Sequence, residues 1–139
     1  MRLFVLDSDS LSLFQSGNAN IAARVERCGP GEVATTVISI DEQLRGWFSL
    51  VRKAKKASQV AFAYARLARS VSHLSQMRIL TYTETAIATY EQFKRSKVSR
   101  GGNDLRIAVI ALENSGTVVT RNVSDFRAIP GLEVEDWTS

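Results

Sequence analysis

The sequence predicts an α/β fold: a central parallel β-sheet with helices on both faces. Three observations carry that expectation. Short apolar or β-branched runs alternate with stretches whose apolar residues recur at helical spacing, the pattern of a parallel sheet with crossover helices. One late segment, Leu105 to Leu112, is apolar on nearly every side, so as a helix it must lie largely buried. Acidic and polar residues follow the strand-like runs, where open parallel sheets build their sites.

The elements follow in order. Leu3-Phe4-Val5-Leu6 is an apolar run stopped by Asp7-Ser8-Asp9-Ser10, which suits a short buried strand. Asn18 to Cys28 reads as a short helix closed by Gly29-Pro30-Gly31. Val33 to Val37 is rich in β-branched residues and reads as the second strand. Ile40, Leu44, Trp47, Val51 and Ala54 then set a helix from about Ser39 to Lys56, and Val60, Tyr64, Leu67, Val71 and Leu74 form the stripe of another. Arg78-Ile79-Leu80 is a short strand, and Thr83 is the N-cap of a helix running to about Lys97. Gly116 ends the buried helix; Thr117 to Thr120 and Leu132 to Glu135 are the last two strands.

The 139 residues, 45% hydrophobic, suit one compact domain over 1–139, with no repeat, low-complexity tract or linker. No apolar run approaches the roughly 20 residues of a membrane-spanning helix. The start, Met1 to Asp7, is too short for a signal-peptide core and lacks a small-residue cleavage site, so a cytoplasmic protein without a membrane role is expected. A single cysteine, Cys28, excludes an internal disulfide and a cysteine-rich zinc site. A net charge of +4 points to an anionic partner only if acids and bases are segregated.

The acids do gather at predicted strand ends. Asp7 follows the first strand, Glu42 lies in the first turn of the helix after the second, Asp104 opens the buried helix, and Asn122 and Asp125 follow Thr120. Each also has a plain structural reading. Asp7, Asn122 and Asp125 suit turns, Ser39 and Glu42 form a Ser-x-x-Glu capping box, Glu42 can pair with Arg45 one turn on, and Asp104 favours the helix dipole. Taken together they point elsewhere. Several carboxylates buried side by side without partners cost several kcal/mol. A hard divalent cation, Mg²⁺ or Mn²⁺, removes that cost and prefers oxygen ligands. Such a cation activates water and stabilises charge on a phosphoryl group, so an acidic cluster without histidine suits a phosphodiester or phosphate site.

These residues carry a resemblance. Val5-Leu6-Asp7-Ser8-Asp9, Glu42, Asn103-Asp104-Leu105-Arg106-Ile107-Ala108, Thr120-Arg121-Asn122-Val123-Ser124-Asp125-Phe126 and Pro130-Gly131-Leu132 are similar, over essentially the whole length, to PIN-domain ribonucleases of the VapC toxin type. The Thr-Arg-Asn-x-x-Asp-Phe block behind Asp-Leu-x-Ile-Ala is the most specific part. The resemblance implies a single PIN-like domain that binds Mg²⁺ or Mn²⁺ and cuts the RNA backbone. By position, Asp7 and Asp104 would be the principal metal ligands and Glu42 the third acid. Asp125 would be the fourth, with Asn122 in a slot that is acidic in some relatives. Ser8 would stand near the cluster where many members have Thr. It also implies a homodimer and a VapB-type antitoxin that blocks the groove.

One departure is Asp9, where the family commonly has Asn; the extra carboxylate would join the site through water or tune its metal affinity. Asp7-Ser8-Asp9 also looks like the Asp-x-Asp opening of haloacid-dehalogenase phosphatases. However, no lysine follows Lys97, and no adjacent acidic pair follows Asp104 before Glu135-Asp136. A different alternative is a catalytically silent PIN-fold module that binds RNA or protein. Among the cations, Arg106 and Arg121 are the better candidates for holding RNA, while Arg52, Lys53, Lys55 and Lys56 read as a solvated helix face. His73 reads as a surface residue, and Trp47 and Phe48 as core or interface residues. Gly46, one turn after Glu42, suggests either a close approach to the backbone or a packing need.

Overall fold

The computed structural model describes residues 2–139. Five short strands, β1 (Phe4–Leu6), β2 (Val33–Thr36), β3 (Arg78–Leu80), β4 (Thr117–Val119) and β5 (Glu133–Glu135), form one sheet in the order β3-β2-β1-β4-β5. Every pair is parallel, as the alternation of strands and helices predicts. Seven helices connect and flank the strands: α1 (Ser8–Gln15), α2 (Ala19–Glu26), α3 (Val37–Lys53), α4 (Ala57–Leu74), α5 (Glu84–Arg95), α6 (Asn103–Glu113) and α7 (Val123–Arg127).

Neighbouring residues on a strand face opposite sides of a sheet, and this splits the core in two. Val5, Ala34 and Val118 face α5, α6 and α7, meeting Tyr90, Ile107, Ile110 and Phe126. Phe4, Leu6 and Val119 face α1, α2 and α4, meeting Leu11, Ile21 and Leu74. α6 lies in the first layer with residues 107–111 fully or almost fully buried, which explains its apolar surface all round.

The register fixes where a site forms. Leu6 lies opposite Thr35 on one side and Val119 on the other. The residues that follow, Asp7, Thr36 and Thr120, therefore emerge together at the carboxyl edge of the three central strands. All three are buried and polar.

Several local expectations are corrected. Asp7 begins α1, an eight-residue helix that the polar start Ser8-Asp9-Ser10 disguised; it is held down by Leu11, which is fully buried. Thr36 rather than Ser39 caps α3, its side chain accepting the Ser39 N–H at 3.2 Å, so Glu42 stands in the second turn and forms no capping box. α4 buries Ala63, Ser70 and Leu74, whereas Tyr64 and Val71 of the expected apolar stripe are exposed. His73 is not a bare surface residue: it packs edge-on against Phe14 and lies 3.3 Å from the Gln15 amide nitrogen. A side chain at Gly46 would meet nothing within 4 Å, so no neighbour in the chain requires glycine there. Trp47 is half-buried beneath the Arg66 guanidinium, while Phe48 is exposed.

Candidate active site

Asp7 sits deepest. It is 5% exposed at the end of the central strand, and its Oδ1 accepts the Ser10 N–H at 2.8 Å as the N-cap of α1. Burial pushes its carboxyl above the ordinary range, opposed by hydrogen bonds from Thr120 and Ser10, and the Asp9 charge adds to the rise.

Asp104 reaches the same edge from the other side of β1. α6 begins after two glycines with positive φ, Gly101 at 88° and Gly102 at 97°. The buried Tyr90 hydroxyl accepts the Gly102 N–H at 3.0 Å. A Cβ at Gly101 would come within 2.7 Å of that hydroxyl, so this turn requires glycine for both conformation and space. Asp104 is exposed as a residue, but its carboxyl group is partly desolvated. Burial raises its pKa first, and the charges of Asp7, Glu42 and Asp125 raise it further. Those three acids come from three other chain segments, so their shared influence on Asp104 marks one electrostatic cluster.

Glu42 is steadied by hydroxyls. Ser8 Oγ donates to Glu42 Oε1 at 2.7 Å and lies 3.0 Å from Ser39 Oγ. Ser39 is itself within 3.4 Å of the Thr36 hydroxyl. Glu42 does not pair with Arg45, which binds Asp41 at 2.9 Å.

On the β4 side, the Asn122 amide donates to Asp125 Oδ2 at 2.9 Å, and its nearby side chain opposes the rise in the Asp104 pKa. Asp9 and Arg121 form a bidentate pair at 2.7 and 2.9 Å. Asp9 is thus engaged by a cation, and Arg121 has two of its donors already occupied. Arg106 donates to Asn103 Oδ1 at 3.0 Å, with its guanidinium over the Tyr90 ring.

Two clefts adjoin the acids. One of about 440 Å³ is bordered by Asp104 and Asp125 and includes Arg100 and Ser124. The other, about 380 Å³, is bordered by Glu42, Arg45, Tyr82 and Arg106. Acids and cations share both clefts, with Arg100 beside Asp104 and Asp125 in the first and Arg45 and Arg106 beside Asp41 and Glu42 in the second. The two signs of charge are therefore not segregated here.

The donor set, carboxylate oxygens with the Asn122 amide and no histidine, has the chemistry of a hard divalent cation site. Burial raises the carboxyls of both Asp7 and Asp104, and neighbouring acids raise Asp104 further, a setting in which a bound cation would favour the charged forms. Among the described residues, however, no three His, Cys, Asp or Glu side chains are drawn close enough together to form a ready metal cage. The site suits Mg²⁺ or Mn²⁺ in chemistry and would have to tighten around it.

Thr120, Thr36 and Ser39 had no part in the site expected from the sequence. Thr120 hydrogen-bonds Asp7 and accepts the Asn122 N–H at 2.9 Å, so one buried hydroxyl links two acidic segments. Its position closing a β-branched run directly before Arg121-Asn122 was the available signal.

No family model matches the chain. A curated relative, ribonuclease VapC2 of Rickettsia felis, is 31% identical over 68 residues, covering 46% of this chain and 51% of that protein, about half its length. Solved structures match nearly end to end. VapBC-1 from nontypeable Haemophilus influenzae has 25% identity, 99% of each chain covered and a TM-score of 0.74. DNA-bound VapBC from Salmonella typhimurium has 23% identity, 99% of each chain covered and a TM-score of 0.76. VapBC2 from Rickettsia felis, bound to a DNA fragment from their promoter, has 23% identity over 97% and 98% of the chains and a TM-score of 0.71. Among the described residues, no helix is long and apolar enough to cross a membrane. With its parallel five-stranded sheet, the chain has the fold of these VapBC structures, and over about half its length it is similar in sequence to the VapC2 ribonuclease.

Proposed function

We propose that the chain is a Mg²⁺- or Mn²⁺-dependent ribonuclease, a toxin of the VapC type that hydrolyses RNA phosphodiester bonds. The single observation that supports this most is the coupling of Asp7, Glu42 and Asp125 to Asp104 at one sheet edge. The curated relative is itself called a ribonuclease. Bound Mg²⁺ or Mn²⁺ would supply an activated water and stabilise charge on the phosphoryl group.

In this reading Asp7 and Asp104 hold the cation, with Glu42 and Asp125 completing the acidic set. Ser8 and Ser39 keep Glu42 oriented toward the cluster, and Asn122 does the same for Asp125. Arg106 draws the RNA backbone in. Arg121 shares that task, its charge offset by Asp9. A VapB-type antitoxin would neutralise the enzyme, since the matching solved structures are VapBC complexes. We further propose a homodimer in the cytoplasm.

The test is cleavage of total RNA by purified protein free of antitoxin, with Mn²⁺ and with EDTA. Chelation should abolish cleavage, as should Asp104→Asn; cleavage indifferent to EDTA would refute the metal mechanism. One observation favours a second reading, a silent module that binds RNA or protein without cutting: no three carboxylates are preassembled among the described residues. RNA bound yet intact with Mn²⁺ present would establish it.

A further inference from the structure

The larger cleft beside the acids has a composition that the carboxylates do not explain. Its inner wall is apolar, made by Val98, Leu105, Phe126 and Ile129, of which the last three are at most 5% exposed. Ser99, Arg100 and Ser124 supply hydrogen-bonding groups. Asp104 and Asp125 border it, so the cleft is continuous with the acidic cluster.

We infer that this cleft is a nucleobase subsite, which takes one unpaired base beside the acidic cluster, where a bound cation would meet the neighbouring phosphate. The inference rests on the ribonuclease reading only for that neighbouring phosphate. A phosphate group suits the cleft poorly, because one arginine faces two carboxylates there. A flat, uncharged ring with a polar edge suits it better: the accessible parts of Val98 and Ala128 give it apolar contact, and the hydroxyls and guanidinium meet its edge. The volume, about 440 Å³, lies in the range of small-ligand sites.

The wall is also built in advance. The Val98–Gly101 segment is anchored where the buried Tyr90 hydroxyl takes the Gly102 N–H, with Gly101 packed so closely on Tyr90 that no side chain fits. A preformed wall lowers the ordering cost of binding.

The test uses ¹⁵N-labelled protein titrated with the four ribonucleoside 5′-monophosphates and with ribose 5-phosphate. The base-bearing probes should shift the amides of Ser99, Gly101 and Ser124, and ribose 5-phosphate should not. Ala128 is exposed on the cleft rim, so Ala128→Leu should fill the cleft without offering a stacking ring and weaken mononucleotide binding about tenfold. Ser99→Leu serves the same purpose should the first variant fold poorly. Equal shifts from ribose 5-phosphate, or unweakened mononucleotide binding by a folded, filled-cleft variant, would overturn the subsite. Cleavage of a random RNA pool separates this from the broader reading. Base-dependent shifts with RNA left intact would keep the subsite and remove the ribonuclease. RNA cut without base-dependent shifts would do the reverse.

Discussion

Asp7 carries two opposed contributions to stability, and Asp7→Asn and Asp7→Ala separate them. Its carboxylate caps α1 through the Ser10 N–H at 2.8 Å, and the same carboxylate is buried with a raised pKa. Asparagine is as good an N-cap as aspartate, so Asp7→Asn keeps that bond and removes the charge. It forfeits a helix-dipole interaction of roughly 0.3–1 kcal/mol. In return it gains about 1.4 kcal/mol for each pH unit by which the folded pKa stands above the unfolded one. Because the pKa is raised, the stability Asp7 contributes is complete below the unfolded carboxylate range and is lost as pH rises through the folded value. Metal-free wild type should therefore weaken between mildly acidic and neutral pH relative to Asp7→Asn, which should melt higher at neutrality. Asp7→Ala also removes the charge but loses the cap, about 1 kcal/mol, and should melt some 3–5 °C below Asp7→Asn. Saturating Mn²⁺ should raise the wild type by about 2.7 kcal/mol at a hundredfold excess over its Kd and leave Asp7→Asn less affected. The assay is thermal unfolding in EDTA and in Mn²⁺ across that pH range. A wild-type-to-Asn difference that does not change with pH would refute the buried-charge argument, and equal melting of the Asn and Ala variants would refute the cap.

Gly101→Ala should destabilise the protein by about 1–3 kcal/mol, because φ of 88° and the Tyr90 hydroxyl both oppose a side chain; urea unfolding measures it. Tyr90→Phe in the same background relieves the contact but also removes the acceptor of the Gly102 N–H, so little net rescue is expected. The Asp9–Arg121 pair is exposed, and a double-mutant cycle in thermal stability should give a coupling of at most about 1 kcal/mol. If Arg121 contacts RNA, Asp9→Asn should free its charge and steepen the salt dependence of RNA binding, and an unchanged slope would place Arg121 outside the interface.

The elements that could be read from sequence are those whose own residues determine them. β1 and β4 are unbroken apolar or β-branched runs, α6 is apolar all round, and α5 has its Thr83 cap, which accepts the Ala86 N–H at 3.1 Å. Asp7, Glu42, Asp104 and Asp125 could be singled out because acids after strands have few structural uses together. α1 and α7 could not be read, since their polar starts become helical where Leu11, backed by Leu13 and Phe14, and Phe126 enter the core. Glu42 has the spacing of a capping box, but the end of β2 lies at Thr36, and that hydroxyl takes the cap first. Asp9 and Arg121, 112 residues apart, show no trace of each other along the chain. Sequence alone thus determined the sheet, the buried helix and the acidic inventory, through local periodicity and composition. The partners of each polar group were decided only by the tertiary structure, because strand register brings Asp7, Thr36 and Thr120 to one edge, and hydrogen bonds and ion pairs depend on distance in space rather than along the chain.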